Sequence, residues 1–290
     1  MHTLTHCPLC NARLSIPVAW RGRIGKQSRI IPLTNVLCLR CGLVYLRSRF
    51  DDTELSALYH HTYDAVRKEV SDLSSLSHNH TKNSFIGGII SSRIPSQGKI
   101  LEIGAGHGSV TDYLSRIADY SVVGIEPSHQ SVLAAKQNFN IDLEEGLFDE
   151  VLPRLTPHSF DAIVMHHVLE HIPTIHDFLE SLKTLLTKDG IVYITVPNVT
   201  LFNKPIPFFF DPLHLYNFSP HTLAALLILH GFSCERIATP LHITVVARLS
   251  ETSHPITASP QTVIHTFFHL LWRYLFDALR SIYLLIRRFF

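Results

Sequence analysis

The chain has 290 residues, 46% of them hydrophobic and 17% charged. That composition excludes a disordered chain, a collagen-like repeat and a disulfide mini-protein. The length accommodates one catalytic domain of about 200 residues plus smaller pieces. A formal net charge of +1 argues against a polyanion binder, yet the charge is segregated. Residues 1–50 carry eight Lys/Arg and no acid (+8), 51–260 carry 13 Lys/Arg against 23 Asp/Glu (−10), and 261–290 carry four Arg against one Asp (+3). Alternating regions of this kind predict three functional pieces.

The start, Met1-His-Thr-Leu-Thr-His-Cys7, lacks the basic-then-apolar pattern of a secretory leader. Five Cys is an odd count, and four of them form C-x-x-C pairs, so a reducing cytoplasm is expected. Cys7-Pro-Leu-Cys10 and Cys38-Leu-Arg-Cys41 stand 27 residues apart. Four thiolates on two tight turns suit tetrahedral Zn²⁺ with no open position for chemistry. Leu9, Leu14, Ile16, Leu37, Leu39 and Val44 are too few to fold this module alone, so metal is expected to supply about 10–16 kcal/mol. Buried free thiols or a redox pair are the competing explanation. Cys234 sits in a predicted strand as a core residue.

Residues 51–98 are expected to be a helical lead-in or lid, with Leu55, Leu58, Val66 and Val70 at helical spacing. Within it, Asp72 to Asn83 is Ser- and His-rich and predicts a loop between two helices. From residue 99 the pattern is strand, turn, helix, repeated. Lys99–Ile103 predicts a strand, and Gly104-Ala-Gly106-His-Gly108 a turn. Ser109 opens a helix through Ile117. Ser121–Ile125 is the next strand, and Ser128 caps a helix to about Phe139. Phe160–Met165 is a third strand. A helix over 174–187 ends at Lys188-Asp-Gly190, and Ile191–Val196 is a fourth strand. The charge-free run 212–234 holds Pro, Asn, Gly and His, and predicts a strand-free loop plus a core helix instead of a bilayer span. That helix covers 220–230, with Gly231 at its C′ position. Two last strands fall near 232–238 and 241–248. Strand–helix alternation predicts a parallel, doubly wound sheet.

Gly104–Gly108 lies at a strand-to-helix turn, where glycines let backbone approach a ligand and the helix N-terminus offers free N–H groups. A dinucleotide enzyme wants G-x-G-x-x-G, but here the third Gly comes one residue early. Glu126 ends the second strand 18 residues after Gly108. A carboxylate there can accept from both hydroxyls of a ribose. A tight packing turn and a solvated carboxylate are the structural alternatives.

Four segments carry a resemblance: Glu102-Ile-Gly-Ala-Gly-His-Gly108, Val122-Val-Gly-Ile-Glu126-Pro127-Ser, Phe160-Asp-Ala-Ile-Val-Met-His166-His167-Val-Leu-Glu170-His171 and Val196-Pro-Asn198. In this order and spacing the chain resembles class I S-adenosylmethionine-dependent methyltransferases over 99–248. The resemblance implies a Rossmann-like, mostly parallel, seven-stranded sheet. It implies Glu102 and the Gly104, Gly106 and Gly108 loop under the methionine part of the cofactor, and Glu126 with Pro127 at the ribose. It further implies Phe148 near the adenine, and His166 and His167 at the methionine end. Cys38-Leu-Arg-Cys-Gly-Leu-Val-Tyr45 and Leu58-Tyr-His-His-Thr-Tyr63 are similar to a bacterial subgroup with an N-terminal zinc-binding module. That subgroup includes enzymes acting on sugars, glycans and natural products. Tyr59 and Tyr63 then close over the cofactor, or else merely pack a helix.

Methyl transfer needs an in-line acceptor and usually a base. Asp211-Pro-Leu-His214-Leu-Tyr216-Asn-Phe-Ser219 follows a strand end, where ligands of open α/β sheets bind. It resembles the family's H-x-Y-x-F-S/T pattern, which makes His214 the candidate general base, with Asp211 or Tyr216 orienting it or the substrate. The alternative for His214 is tying down its loop. Some ubiquinone-type O-methyltransferases show E-x-x-E-H and hold a divalent cation. Here His167 replaces the first Glu, which favours Glu170 as a plain helix cap.

The expected organisation is a zinc-binding module over 1–50, a lead-in over 51–98, a catalytic domain over 99–249, a linker over 250–262 and an amphipathic helix over 263–290. In that helix His269, Arg273, Asp277, Arg280, Arg287 and Arg288 fall on one stripe, and Phe, Leu, Ile, Tyr and Trp fill the rest. A membrane interface suits such a helix, as does docking on protein. The apolar Pro205–Phe210 loop can join that surface. The leading expectation is O-methylation of a small-molecule, glycan or amphiphilic acceptor. An RNA base methyltransferase using the basic module competes. It is disfavoured because the module holds few stacking aromatics beyond Trp20 and Tyr45. A non-catalytic scaffold is the third possibility.

Overall fold

In the computed structural model, residues 2–24, 29–49, 74–201, 210–211, 213–237, 242–250 and 261–272 are described. The lid aromatics Tyr59 and Tyr63, the linker over 251–260, most of the Pro205–Phe210 loop and residues 273–290 lie outside them. The strands are β1 (His2–Thr3), β2 (Ser15–Ile24), β3 (Arg29–Cys38), β4 (Val44–Leu46), β5 (Ser48–Arg49), β6 (Lys99–Ile103), β7 (Ser121–Glu126), β8 (Glu144–Glu145), β9 (Phe160–His166), β10 (Leu186–Pro197), β11 (Tyr216–Asn217), β12 (Phe232–Ile237) and β13 (His242–Leu249). The helices are α1 (Ser74–Ser91), α2 (Ser109–Ser115), α3 (His129–Phe139), α4 (Phe148–Val151), α5 (Ile175–Leu185) and α6 (Pro220–Leu229), and a further helix, α7, covers 261–272.

Runs that are apolar on both faces form the middle of a sheet, because both faces must be covered. Ile163, Val164 and Met165 of β9 and Val192, Tyr193 and Ile194 of β10 are all at most 1% exposed. The seven-stranded sheet runs β12-β13-β10-β9-β6-β7-β8. Its four pairings among β10, β9, β6, β7 and β8 are parallel, and β13 pairs antiparallel with both β10 and β12. This is the Rossmann-like α/β fold. The carboxyl ends of β6, β7, β9 and β10 therefore meet along one edge.

Local signals decided most of these boundaries. Ser128 caps α3 by accepting from the Ser131 N–H. Gly231, at φ 75°, takes the left-handed position after α6. Three expectations need correction. The stretch expected to be a loop up to Asn83 is helical from Ser74. Ile86 and Ile90 of α1 are fully buried, and the Asn83 side chain donates to the Ser109 carbonyl, so tertiary packing overrides weak local propensity. The helix expected to reach 187 stops at Leu185. Leu186 already pairs with Phe160, and Lys188-Asp-Gly190 lies in the register shift before Ile191 pairs with Ala162. The run 212–234 is not strand-free: Tyr216 and Asn217 form β11, which pairs with Tyr45 and Val44.

That last pairing joins the N-terminal module to the rest. Its sheet runs β11-β4-β3-β2, so a strand from beyond residue 200 completes it. Leu33, Val36 and Leu43 share one apolar core with Leu101, Ile163, Leu179 and Val192. Buried Arg49 stacks on the Tyr216 ring at 4.7 Å and donates to Pro173 O and the Tyr216 hydroxyl. On the first Cys turn, the Pro8 carbonyl accepts from His176 Nε2 at 2.6 Å. His176 Nδ1 in turn is bonded to His230, and His230 to Glu180. The shortage of apolar residues noted for the module is thus met partly by borrowing a neighbour's core.

Candidate functional site

The loop after β6 turns sharply. Gly104, Gly106 and Gly108 all have positive φ. A Cβ on Gly104 would meet Val168 at 2.5 Å, and one on Gly108 would meet Ala135 at 2.8 Å, so close approach as well as φ demands glycine there. The Gly104 and Ala105 N–H groups both donate to the Ile125 carbonyl of β7. The Gly106 N–H donates to Glu126 Oε2 at 2.7 Å, and the Ser128 N–H donates to Oε1 at 3.0 Å. Glu126 is 2% exposed. It ends β7 directly beside the loop, with half-buried Pro127 following. A carboxylate offers about four lone-pair sites, so a group of this type can accept from a diol as well as from backbone.

Glu102 lies beneath the loop. Burial pushes it up to about 7, against the Thr111 hydroxyl, which donates to it and favours the carboxylate. Phe148 opens α4 with its ring buried, 4.9 Å from that of Phe178. The exposed apolar side chain at that turn is Leu147.

A histidine-rich patch stands at the ends of β9 and β10. His166 ends β9, and His167, at φ 60°, follows it with its N–H bonded to Thr195 O. Burial, helped by His167, lowers His166 to about 3, so it is neutral at pH 7. The His167 ring lies 4.6 Å from His166 and 4.7 Å from His242. Its Nδ1 is 3.1 Å from Glu170 Oε1.

Glu170 is 0% exposed and does not cap the following helix, where Thr174 holds that position. Burial works against its charge, but the His167 hydrogen bond and the nearby His171 and His214 hold it at about 2. Among the described residues, Glu170 Oε2 has no hydrogen-bond partner. His171 sits with its ring 4.9 Å from that of His214, and its Nδ1 is 3.0 Å from the Leu213 carbonyl. Burial, with His171 beside it, lowers His214 to about 4 against the pull of Glu170 and Asp211. Glu170, His171 and His214 each point one ligand atom into a space less than 4.8 Å across.

The partners expected for His214 are otherwise engaged. Asp211 Oδ1 accepts from the Leu213 N–H and so fixes the turn. The Tyr216 hydroxyl donates to Pro173 O, and its ring sits under Arg49. Local sequence proximity suggested both, but β11 pulls Tyr216 into the module's sheet. His242 was not among the expected site residues, and His171 was considered only within the E-x-x-E-H comparison. With 20 His in the chain, only an antiparallel last strand, which starts at the site edge, points to His242.

The four N-terminal cysteines converge. All four Sγ atoms lie within 4.8 Å of one another, with Cys7–Cys41 and Cys10–Cys38 at 3.6 Å. Zn–S bonds of about 2.3 Å imply tetrahedral edges of about 3.8 Å, which this spacing fits. The two turns match. The Asn11 N–H donates to Cys7 O and the Gly42 N–H to Cys38 O, and both Asn11 and Gly42 have positive φ. Thiol hydrogen bonds from Cys10, Cys41 and Cys7 push Cys38 down, while thiol contacts with Cys10 and Cys38 push Cys7 up. Tyr45, one of the module's two candidate stacking aromatics, is 1% exposed and unavailable to bases.

A parallel sheet with a glycine-rich first loop and an acid ending the next strand defines a nucleoside-binding α/β enzyme fold. Residues 74–237 match the family described as a methyltransferase domain, and the chain belongs to that family. It is 27% identical over 163 residues to the human mitochondrial ubiquinone biosynthesis O-methyltransferase, covering 50% of this chain and 44% of that protein. The chain spans about half the length of the curated relatives it matches. In structure it resembles a Burkholderia thailandensis 1,6-didemethyltoxoflavin-N1-methyltransferase solved with S-adenosylhomocysteine (TM-score 0.54, 18% identity, 80% of this chain and 100% of that one). It also resembles an Aquifex aeolicus SAM-dependent methyltransferase (TM-score 0.50, 18% identity, 69% and 98%).

Proposed function

We propose that this chain transfers a methyl group from S-adenosylmethionine to an oxygen of a small-molecule, glycan or lipid-linked acceptor. The observation that carries the reading is the glycine loop held against buried Glu126 at the carboxyl edge of the sheet. S-adenosylmethionine supplies an electrophilic methyl on its sulfonium. Glu126 accepts from the ribose hydroxyls, and Pro127 shapes that turn. Gly104, Gly106 and Gly108 let the chain pass close under the methionine portion, with Glu102 beneath and His166 and His167 beyond it. The adenine lies at the Gly146–Phe148 turn, where Leu147 offers apolar surface. His214, neutral at pH 7, takes the acceptor's proton. Cys7, Cys10, Cys38 and Cys41 hold a structural Zn²⁺, a role the matched turns and spacing favour.

One observation favours a second reading of the acceptor end. Glu170, His171 and His214 converge, and Glu170 keeps a buried oxygen without a partner among the described residues. Such a donor set suits a divalent cation that orients a catechol-like oxygen. Because the relatives include ubiquinone biosynthesis O-methyltransferases, a catechol acceptor is the first to assay. Calorimetric titration with S-adenosylmethionine tests the main reading. Binding is expected, weakened at least about tenfold by Glu126→Ala, since hydrogen bonds to a charged group are worth about 1.5–3 kcal/mol. No binding to the unmodified chain would overturn it. Turnover that survives exhaustive chelation with zinc restored removes the cation.

A further inference from the structure

Helix α7 packs on one side only. Thr266 and Leu270 are 1–2% exposed, and Leu270 enters a cluster with Val18, Leu37, Val44, Val199 and Phe210. Gly42 fits closely under Thr262. The helix orientation is therefore set by the module's sheet. On the opposite side Ile264, Phe267, Phe268, Leu271 and Trp272 are 37–70% exposed. At about 100° per residue these five occupy one continuous arc, which contains no charged side chain. A soluble surface rarely carries such a large contiguous apolar face without a use.

We propose that this outward face of α7 docks on an anionic lipid surface. The proposal does not rest on the methyltransferase reading. Two observations select lipid over a second copy of the chain. The segment after Trp272 adds Arg273, Arg280, Arg287 and Arg288 against one Asp277, so two copies would bring like charges together. Anionic headgroups complement that charge. Three of the five outward side chains are aromatic, and one is the Trp favoured at headgroup depth. Among the described residues no helix is long and apolar enough to cross a membrane, and the contact proposed here is an interfacial one. Leu270 shares that cluster with Phe210 and with Val199, two residues past the end of β10. The docked bilayer then lies near the edge that carries Glu126 and His214, where an amphiphilic acceptor can enter.

Flotation of the full chain with vesicles tests this, using phosphatidylcholine alone against phosphatidylcholine with phosphatidylglycerol. The full chain is expected to float with the phosphatidylglycerol vesicles, less so at high salt. Phe268→Ser, Leu271→Ser and Trp272→Ser combined should lower partitioning at least about tenfold. These side chains are exposed, so the variant should keep its thermal midpoint. Should the unmodified chain stay in the dense fraction, or the triple variant float equally well, the proposal fails. It fails too if the triple substitution changes only the sedimentation mass, because a second copy then covers the face.

Discussion

The cysteine cluster and the Glu170–His171–His214 cluster gather ligand-type side chains by opposite means. The cysteines come from two turns with the same hydrogen-bond pattern, Asn11 to Cys7 and Gly42 to Cys38. Each turn presents two sulfurs, and all four face inward. The second cluster draws Glu170 and His171 from the turn after β9, and His214 from the loop before β11. It leaves one carboxylate oxygen without a partner among the described residues. A closed tetrahedral set has nothing left to bind substrate, whereas an incomplete set can. On the proposed reading, the first set serves stability and the second serves exchange.

Removing zinc should break the first region with the largest effect. Chelation or Cys38→Ser is expected to forfeit much of the roughly 10–16 kcal/mol typical of such sites. Because β11 pairs with β4 and the core is shared, the loss should lower one cooperative thermal transition of the whole chain. An unchanged midpoint, with no zinc found by elemental analysis, would remove the metal from the account.

At the second region, His214→Ala should lower turnover by about 10²–10⁴ while leaving S-adenosylmethionine affinity intact. The base must be neutral, and its value of about 4 in the folded chain predicts activity that is flat above about pH 5 and falls as pH drops toward 4. Unchanged turnover in the alanine variant would reduce His214 to a loop tether.

Glu102 offers a milder pH effect. Its carboxyl is raised from 4.5 to about 7, so the folded chain holds a proton that the unfolded chain releases. This contribution is full below pH 4.5 and is lost as pH rises through 7, by roughly 3 kcal/mol. Glu102→Gln keeps the neutral form and should gain stability over the natural chain at pH 8 but not at pH 4. Equal midpoints at both pH values would contradict a protonated Glu102.

The smallest effect is expected at the bridge between regions. His176→Ala removes the bonds to Pro8 and His230 and should cost about 1–2 kcal/mol in thermal unfolding. A cost near zero would mean that β11, the shared core and Arg49 couple the two without this bridge.

Much of the fold was legible because its signals are local. The β6-to-α2 turn needs glycines where φ is positive, Ser128 caps α3, and Gly231 ends α6. Glu126 was legible because it lies a fixed distance after that turn. The misreadings have long-range causes. Glu170 looked like a cap until the turn it occupies, Leu169–His171, proved separate from α5. Tyr216 looked like a partner for His214 until β4 claimed it.

By itself the sequence determined the alternation of strand and helix, the cysteine knuckles, the glycine loop and the acid at the end of β7. Each depends on backbone φ, residue type and spacing within one segment. Tertiary structure alone decided that β11 completes the module's sheet, that Glu170, His171 and His214 converge, and that α7 buries Leu270 while leaving Trp272 outside. Those outcomes depend on hydrogen-bonding edges and apolar faces from segments far apart in the chain, which meet only when the whole core closes.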